Sequence, residues 1–384
     1  MAYQKLTPTQ LLSSGIGAPD VAERAWCVRW DQVPDAAELI AGALPPVLDF
    51  HTSGSTGPSR RWQHTRANAW REAGMLADFL RPDEPGAVVS FAPPVHVYGA
   101  LATLLVPARL GVPAWYRPGY LGALPDPGCR RIAVVATPWI FSLLLRHLDW
   151  VRSFERITVL YSSAMLPAEA GTFLAEAGPE RAAVVELLGS TETGGIALRH
   201  WSGGAPPAWT LFPDVAFAPD QDGPAADGTT AEDPADPDRA AAVPLVIRSP
   251  RLAARPGEPS PDRWRTGDLV EPLDARSFRL LGRVGRLVKV NGQRINLDEA
   301  EGALRARLDC ADLALVPVND PMIGEHVDLY VVPRPGTGPD GIDHSAARAV
   351  LGARPRKVHT VPELKRSAMG KLQHLTTSQP PTQG

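Results

Sequence analysis

The sequence lacks any apolar stretch of the ~18 residues that a membrane-spanning helix needs, and its opening segment, MAYQKLTPTQ, lacks the charged-then-apolar order of a secretion signal. It also lacks an excess of either charge: 39 Lys and Arg against 42 Asp and Glu leave a formal net charge of -3. The cations are scattered, so no nucleic-acid or polyanion surface is indicated. Cysteine is scarce: Cys27, Cys129 and Cys310 are far apart, odd in number and without metal-ligand spacing. Reduced, inert thiols in a cytoplasmic protein are the expectation. There are no internal repeats, and no Gly-Lys-Ser/Thr in the spacing of a Walker phosphate loop.

Proline, by contrast, is plentiful. Forty prolines in 384 residues imply many short elements joined by stiff connections, and the length suffices for two or three domains. Residues 1–48 show weak periodicity and read as a lead-in with one or two helices. Four β-branched runs follow, at 87–91, 132–136, 157–161 and 183–188, separated by helix-like stretches. Thr137-Pro138 offers an N-cap and a helix-opening proline, while Pro167 opens a further helix that Gly178 can close. Strands alternating with helices predict an α/β fold with a largely parallel sheet. Residues 218–244 carry seven acids against one Arg and read as a solvated, flexible loop. From about residue 286 a small α+β unit is expected. Asn296 caps a helix with Glu299 as its capping-box partner, and Leu297, Ala300, Leu304 and Leu308 form its apolar face. Strands at 313–318, 327–332 and 356–361 and a helix at 344–351 complete that unit.

Several segments carry chemistry. Thr52, Ser53, Gly54, Ser55, Thr56 and Gly57 offer hydroxyls and exposed backbone N–H groups of the kind that hold phosphate oxygens, with Arg60 and Arg61 adding charge beside them. Taken alone, a polar turn is the commoner meaning. Gly189-Ser190-Thr191-Glu192-Thr193-Gly194-Gly195 follows an apolar strand, where ligands of α/β sheets sit. Glu192 suits a Mg²⁺ that bridges phosphates, or equally a helix-start acid. Asp268, in Arg265-Thr266-Gly267-Asp268, suits the two hydroxyls of a ribose, although a turn-capping Asp is more frequent. His96 and Tyr98 follow the first of the four strands; a structural histidine is the commoner case there. Lys371 reads, in isolation, as a solvated surface lysine.

The order of these segments resembles the adenylate-forming superfamily: acyl- and aryl-CoA ligases, peptide-synthetase adenylation domains and acyl-carrier ligases. The resemblance runs from about residue 48 to 374. It implies a large N-terminal α/β domain over 1–285, shortened at its start, and a small mobile α+β domain over 286–384. It further implies ATP, Mg²⁺ and a thiol, either CoA or carrier-protein phosphopantetheine. The 52–57 loop would grip the β- and γ-phosphates. Thr191 and Glu192 would meet the α-phosphate and Mg²⁺, and Asp268 and Arg283 the ribose. Gly285 would stand at the hinge, Lys289 and Gly292 on the thiol-transfer face, and Lys371 would neutralise charge during adenylation. Position after the strands assigns His96, Tyr98, Ser162, Ser163, Ala164 and Gly194 to the acid pocket and Leu188 and Gly189 to the nucleotide.

The departures are Arg60 where the family carries Lys, Leu188 where an aromatic ring stacks on adenine, Gly285 for the hinge Asp, His374 for a terminal Arg, and a much shorter segment ahead of the phosphate loop. Glu186 to Ala197, Trp209, Pro213 and Leu280 to Arg283 further resemble short ligases of fatty-acid-like or aryl-polyene assembly lines. The expected activity is ATP-dependent activation of an aryl or acyl acid and transfer to CoA or a carrier protein. Two alternatives stay open: transfer to an amine or other non-thiol nucleophile, and a non-catalytic nucleotide- or acyl-binding homologue.

Overall fold

The computed structural model describes residues 3–52, 60–119, 123–220, 242–290, 293–320, 324–334, 345–366 and 372. They form two compact units, one reaching to Leu280 and one starting at Leu281. Ser53, Gly54, Ser55, Thr56, Gly57, Gly292 and Lys371 lie outside the described residues, as does 221–241 of the acidic segment. For Lys289, on a strand of the second unit, only the backbone is described.

The core of the first unit is the parallel sheet that the β-branched runs predict. Strands β5 (Val88–Ser90), β7 (Arg131–Ala136), β8 (Arg156–Tyr161) and β9 (Ala182–Ser190) run side by side. β6 (Ala114–Tyr116) continues the parallel set on the other side of β5. Side chains on one face, among them Ile132, Val134, Ile157, Val159 and Val184, pack against Ile140, Phe141 and Leu144 of helix Ile140–Arg146 and Phe173 of helix Ala168–Ala177. Strands covered on both faces read as continuous apolar runs, and so these were visible in the sequence. Pro167 and Gly178, the latter at φ +83°, bound the second helix as expected. The first opens differently: Trp139 is its N-cap, with no side-chain cap, and Thr137 is buried ahead of it.

The sheet extends well beyond this parallel core, to 13 strands. On one edge the segment read as a lead-in contributes β1 (Gln4–Leu6) and β2 (Trp26–Val28), with β2 antiparallel to β6. On the other, β10 (Gly194–Trp201) folds back antiparallel on β9. It leads into β11 (Trp209–Leu211), β12 (Ala216–Phe217), β13 (Val243–Arg248), β14 (Trp264–Pro272) and β15 (Ser277–Arg283). Outside the sheet, β3 (Val47–His51) and β4 (Arg61–Thr65) form a hairpin whose loop is the Ser/Thr/Gly segment.

The second unit packs helix Leu297–Arg305 against β18 (Cys310–Asp320) and β19 (Gly324–Pro333), with β20 (Val358–Thr360) parallel to β19. Leu297, Ala300, Leu304 and Leu308 are all buried in its core. Asn296 caps the helix, but through the Asp298 N–H at 3.0 Å, so the box with Glu299 does not form. Ahead of it, β16 (Leu287–Val290) and β17 (Gln293–Asn296) make a hairpin entered through Gly285, whose φ of +80° favours glycine. Among the described residues, no helix is long and apolar enough to cross a membrane.

Candidate active site

The parallel strands β5, β7, β8 and β9 end at one edge of the sheet, where α/β proteins bind ligands. The loops that leave them carry most of the predicted acid-pocket residues. Tyr98, beyond β5, is buried, and its hydroxyl lies 2.7 Å from Leu160 O and 3.1 Å from Ala136 O, at the ends of β8 and β7. Burial pushes its phenol far above the ordinary value, so it stays protonated and donates. Next to it, a side chain on Gly99 would collide with Pro93 O, so the β5 loop crosses its helix at glycine distance. Ser162, beyond β8, donates to Leu187 O on β9. Tyr98 and Ser162 thus stitch three strand ends together. His96 stands half-buried at the start of the short helix Val97–Gly99. Ser163 is the unusual member: its φ is +95°, and its buried Oγ has no hydrogen-bond partner among the described residues. Ala164 beside it is exposed.

After β9 comes the Thr191-Glu192 turn. Ser190 Oγ accepts the Glu192 N–H, and Thr193 Oγ1 accepts the Ser190 N–H and donates to Gly194 O. A Cβ on Gly189 would strike Gly194 O at 2.3 Å, and Gly194 itself has φ +64°. These two positions therefore require glycine. Leu188, half-buried on β9, faces Ala197 across the ladder.

Beneath Gly194 and Gly195 lies a network that the sequence did not announce. Arg251 is fully buried, and its guanidinium holds Asp214 bidentately (2.9 and 3.0 Å), bonds Gly195 O (2.8 Å) and pairs with Glu72. The other Glu72 oxygen accepts the Gly195 N–H at 2.6 Å. Burial alone would lower the Arg251 pKa, but Glu72 and Asp214 outweigh it and hold the cation charged. Glu72 sits on the apolar face of helix Arg66–Leu80 beside Ala69, Ala73 and Leu76. A charge on such a face was the one available signal.

The β3–β4 hairpin is fastened to this turn. Thr52 closes the neck of its loop: its N–H donates to Arg60 O, and its Oγ1 accepts the Arg60 N–H. Three successive β4 residues then reach three neighbours. The Trp62 ring meets Trp264 edge-on, Gln63 pairs its backbone with Ala254, and His64 Nε2 donates to Thr191 O at 2.7 Å. Ala253 N–H donates to Glu192 O at 2.8 Å, so both carbonyls of the Thr-Glu turn are held. Asp268 lies on β14, four residues after Trp264, with its side chain buried. First-unit segments carrying Thr52, Arg60, Thr191, Glu192 and Asp268 are thus tied through β4. Arg283, Gly285 and Lys289 belong to the second unit.

Glu192 is half-buried and its carboxylate has no hydrogen-bond or ion-pair partner among the described residues. No group of three or more metal-ligating side chains occurs among them either. A single available carboxylate fits Mg²⁺, which is held by one or two carboxylates with phosphate oxygens and water completing its octahedron.

Residues 21–222 match the family model described as AMP-binding enzyme. The chain belongs to that family. The chain is 29% identical over 367 residues to a 4-coumarate–CoA ligase of Halorhodospira halophila, covering 92% of this chain and 82% of that one. A 4-coumarate–CoA ligase of Rhodobacter capsulatus is 34% identical over 274 residues, or 69% of this chain and 59% of the relative. The fold is shared with ATP-bound MatB from Rhodopseudomonas palustris, at TM-score 0.61 and 20% identity over 85% of this chain and 66% of that structure. The chain thus spans 82% of the first of these relatives but only 59% of the second and 66% of the MatB structure. The shared fold agrees with the mixed α/β architecture expected from the strand pattern.

Proposed function

We propose that this chain is an ATP-dependent acid–thiol ligase that converts an aryl or acyl carboxylic acid to an acyl-adenylate and passes the acyl group to CoA. The observation that carries the reading is the junction at β4. It ties three things to one strand: the Thr52–Arg60 neck of the Ser/Thr/Gly segment, a turn whose Glu192 carboxylate has no partner among the described residues, and the strand that carries the buried Asp268. A triphosphate with its ribose needs those three recognitions together. Membership of the AMP-binding family and the CoA-ligase names of the relatives support the same chemistry.

In the first step a carboxylate oxygen of the acid attacks the α-phosphorus, the bond to the β-phosphate oxygen breaks, and pyrophosphate leaves. Negative charge gathers on the phosphates as it does so. Glu192 is the residue that would hold Mg²⁺, which when bound neutralises part of that charge. Thr191 would orient the α-phosphate and Asp268 the ribose. Lys371, which lies outside the described residues, would supply the remaining positive charge. In the second step a thiol sulfur attacks the acyl carbon, its proton is lost, and AMP leaves with the bonding pair. The ionisable residues assigned to the acid pocket, His96 and the protonated Tyr98, include no carboxylate to bind an ammonium, which favours an aryl or acyl acid over an amino acid.

The test is acid-dependent pyrophosphate release across benzoates, cinnamates, fatty acids and amino acids, with products analysed for CoA, a phosphopantetheinylated carrier protein and small amines. Release with one acid class, a CoA thioester as product, and loss of release in Lys371→Ala are expected. Silence with every acid, from a folded protein that binds Mg·ATP, would overturn the reading in favour of a binding homologue.

A further inference from the structure

Among the anchors of the Thr191-Glu192 turn, one is made by a buried side chain from the hairpin that carries the Ser/Thr/Gly loop. His64 is 4% exposed, and its ring packs edge-on against Phe50 across that hairpin, with ring centres 5.7 Å apart. Its partner Thr191 O is a carbonyl and can only accept, so Nε2 must carry the proton. Burial lowers the imidazole pKa, against the Thr191 hydrogen bond and the nearby Glu72 charge, which favours the neutral ring. A neutral Nε2–H donor fixes the carbonyl without placing a second cation above Arg251.

The flanking contacts do not replace it. Gln63 and Ala254 join by backbone alone, and Ala253 holds the next carbonyl, that of Glu192, again by backbone. Trp62 packs on Trp264 ahead of Asp268. Among the described residues, His64 is therefore the side-chain hydrogen bond between the hairpin closed by Thr52 and Arg60 and the turn that presents Glu192.

We propose that His64 is a positioning residue for the adenylation half-reaction, setting the Thr191-Glu192 turn in register with the loop hairpin through the Nε2–Thr191 O bond. The proposal rests on the ligase reading. It concerns the register of the turn with the hairpin that carries the β- and γ-phosphate loop, which matters most in adenylation because an acyl-adenylate has already lost its pyrophosphate. Misplacement of reacting groups by about 1 Å is enough to cost on the order of 100-fold in rate, and a cut bond at this turn acts through displacement of that kind.

The experiment separates the half-reactions in full-length protein. Pyrophosphate release is measured with ATP and the preferred acid, and thioester formation is measured from supplied acyl-adenylate and CoA. His64→Leu removes the donor and keeps an apolar side chain against Phe50. His64→Gln returns an N–H near the Nε2 position. We expect His64→Leu to slow pyrophosphate release roughly 10- to 100-fold, mainly in kcat, while thioester formation stays within about twofold and His64→Gln recovers most of the loss. Equal losses in both half-reactions, or a His64→Gln no better than His64→Leu, would overturn the proposal and leave His64 a packing residue. An unchanged His64→Leu overturns it as well. If His64→Leu does not fold, His64→Gln alone decides, since a positioning role requires near-normal pyrophosphate release from it. A wild-type protein that releases no pyrophosphate with any acid instead refutes the ligase reading itself.

Discussion

Replacing Arg251 by methionine tests whether the buried charges under Gly194 and Gly195 hold the turn. The substitution keeps much of the side-chain volume against Phe212, over whose ring the guanidinium lies at 5.4 Å, but removes the cation that pairs with both carboxylates. The two do not suffer equally. The Asp214 side chain is 20% exposed and regains water, whereas that of Glu72 is 5% exposed and cannot. Glu72 retains the Gly195 N–H but loses its counter-ion. Breaking one side of a buried pair costs about 3–5 kcal/mol. That is a large fraction of the ~5–15 kcal/mol that holds a typical protein folded. At roughly 2–4 °C per kcal/mol for a domain of this size, Tm should fall by on the order of 10 °C.

The assay is thermal and urea unfolding followed by tryptophan fluorescence, with Glu72→Gln added in a double variant. Gln at 72 still accepts the Gly195 N–H and carries no charge, so the double variant should be at least ~1 kcal/mol more stable than Arg251→Met alone. Hydrogen exchange at the Gly195 amide should quicken in Arg251→Met and slow again in the double variant. If Arg251→Met lies within about 1 kcal/mol of wild type, or if Glu72→Gln gives no recovery, the network is not what fixes the turn.

Ser163→Gly should stabilise the protein by about 1 kcal/mol. It releases a φ of +95°, a strain of order 1–3 kcal/mol, against the greater unfolded-state freedom of glycine. Ser163→Ala removes the same buried hydroxyl, which has no partner among the described residues, but keeps the strain, so it should gain less than Ser163→Gly; identical Tm values for the two would refute the strain argument. In the second unit, burial raises the Asp328 carboxyl pKa, but Arg356 and His359 outweigh it and hold it below the usual range. Its contribution is therefore present above the ordinary aspartate pKa of about 3.9 and is lost as pH falls through the lower folded value. Asp328→Asn should be less stable at pH 7 and show a flatter loss of stability below about pH 4 than wild type; parallel pH profiles would contradict the assignment.

What the sequence made legible, and what it hid, divides along physical lines. The runs at 132–136, 157–161 and 183–188 coincide with β7, β8 and β9 because a strand buried on both faces needs apolar side chains at every position. The antiparallel half from β10 onward mixes glycine, histidine and arginine and contains a register shift between Gly195 and Ala197, so it shows no clean period. The three-residue strands β1 and β2 are too short to show any period. Capping erred by one or two positions: Thr137 gave way to Trp139, and Asn296 met Asp298 rather than Glu299. The motif-bearing residues were readable because their loop chemistry is local. The groups that hold them were not, because His64 finds Thr191 127 residues away and Arg251 finds Glu72 179 residues away. No local pattern encodes such a pairing, beyond a lone Glu on an apolar helix face and a His two residues from a Trp on an alternating strand.

The hidden groups share a property with consequences for binding. Around the Thr191-Glu192 turn the anchors are a neutral imidazole, backbone N–H groups and an arginine whose charge is met by Glu72 and Asp214. This part of the site orients without attracting: among the described residues its three buried or half-buried carboxylates, Glu72, Asp214 and Glu192, outnumber its one cation, Arg251. On the proposed ligase reading, the attraction that a triphosphate needs would come from elsewhere: Arg60 at the neck of the loop, Lys371 as the resemblance implies, and the Mg²⁺ that Glu192 would hold. Arg60 replaces the lysine usual in the family, so its charge is delocalised over a planar fork rather than concentrated on an ammonium. A frame that is electrostatically closed keeps its geometry whether or not the triphosphate is present. On the ligase reading, charge supplied from outside the frame can leave with pyrophosphate, or be withdrawn from the adenylate, without disturbing the turn.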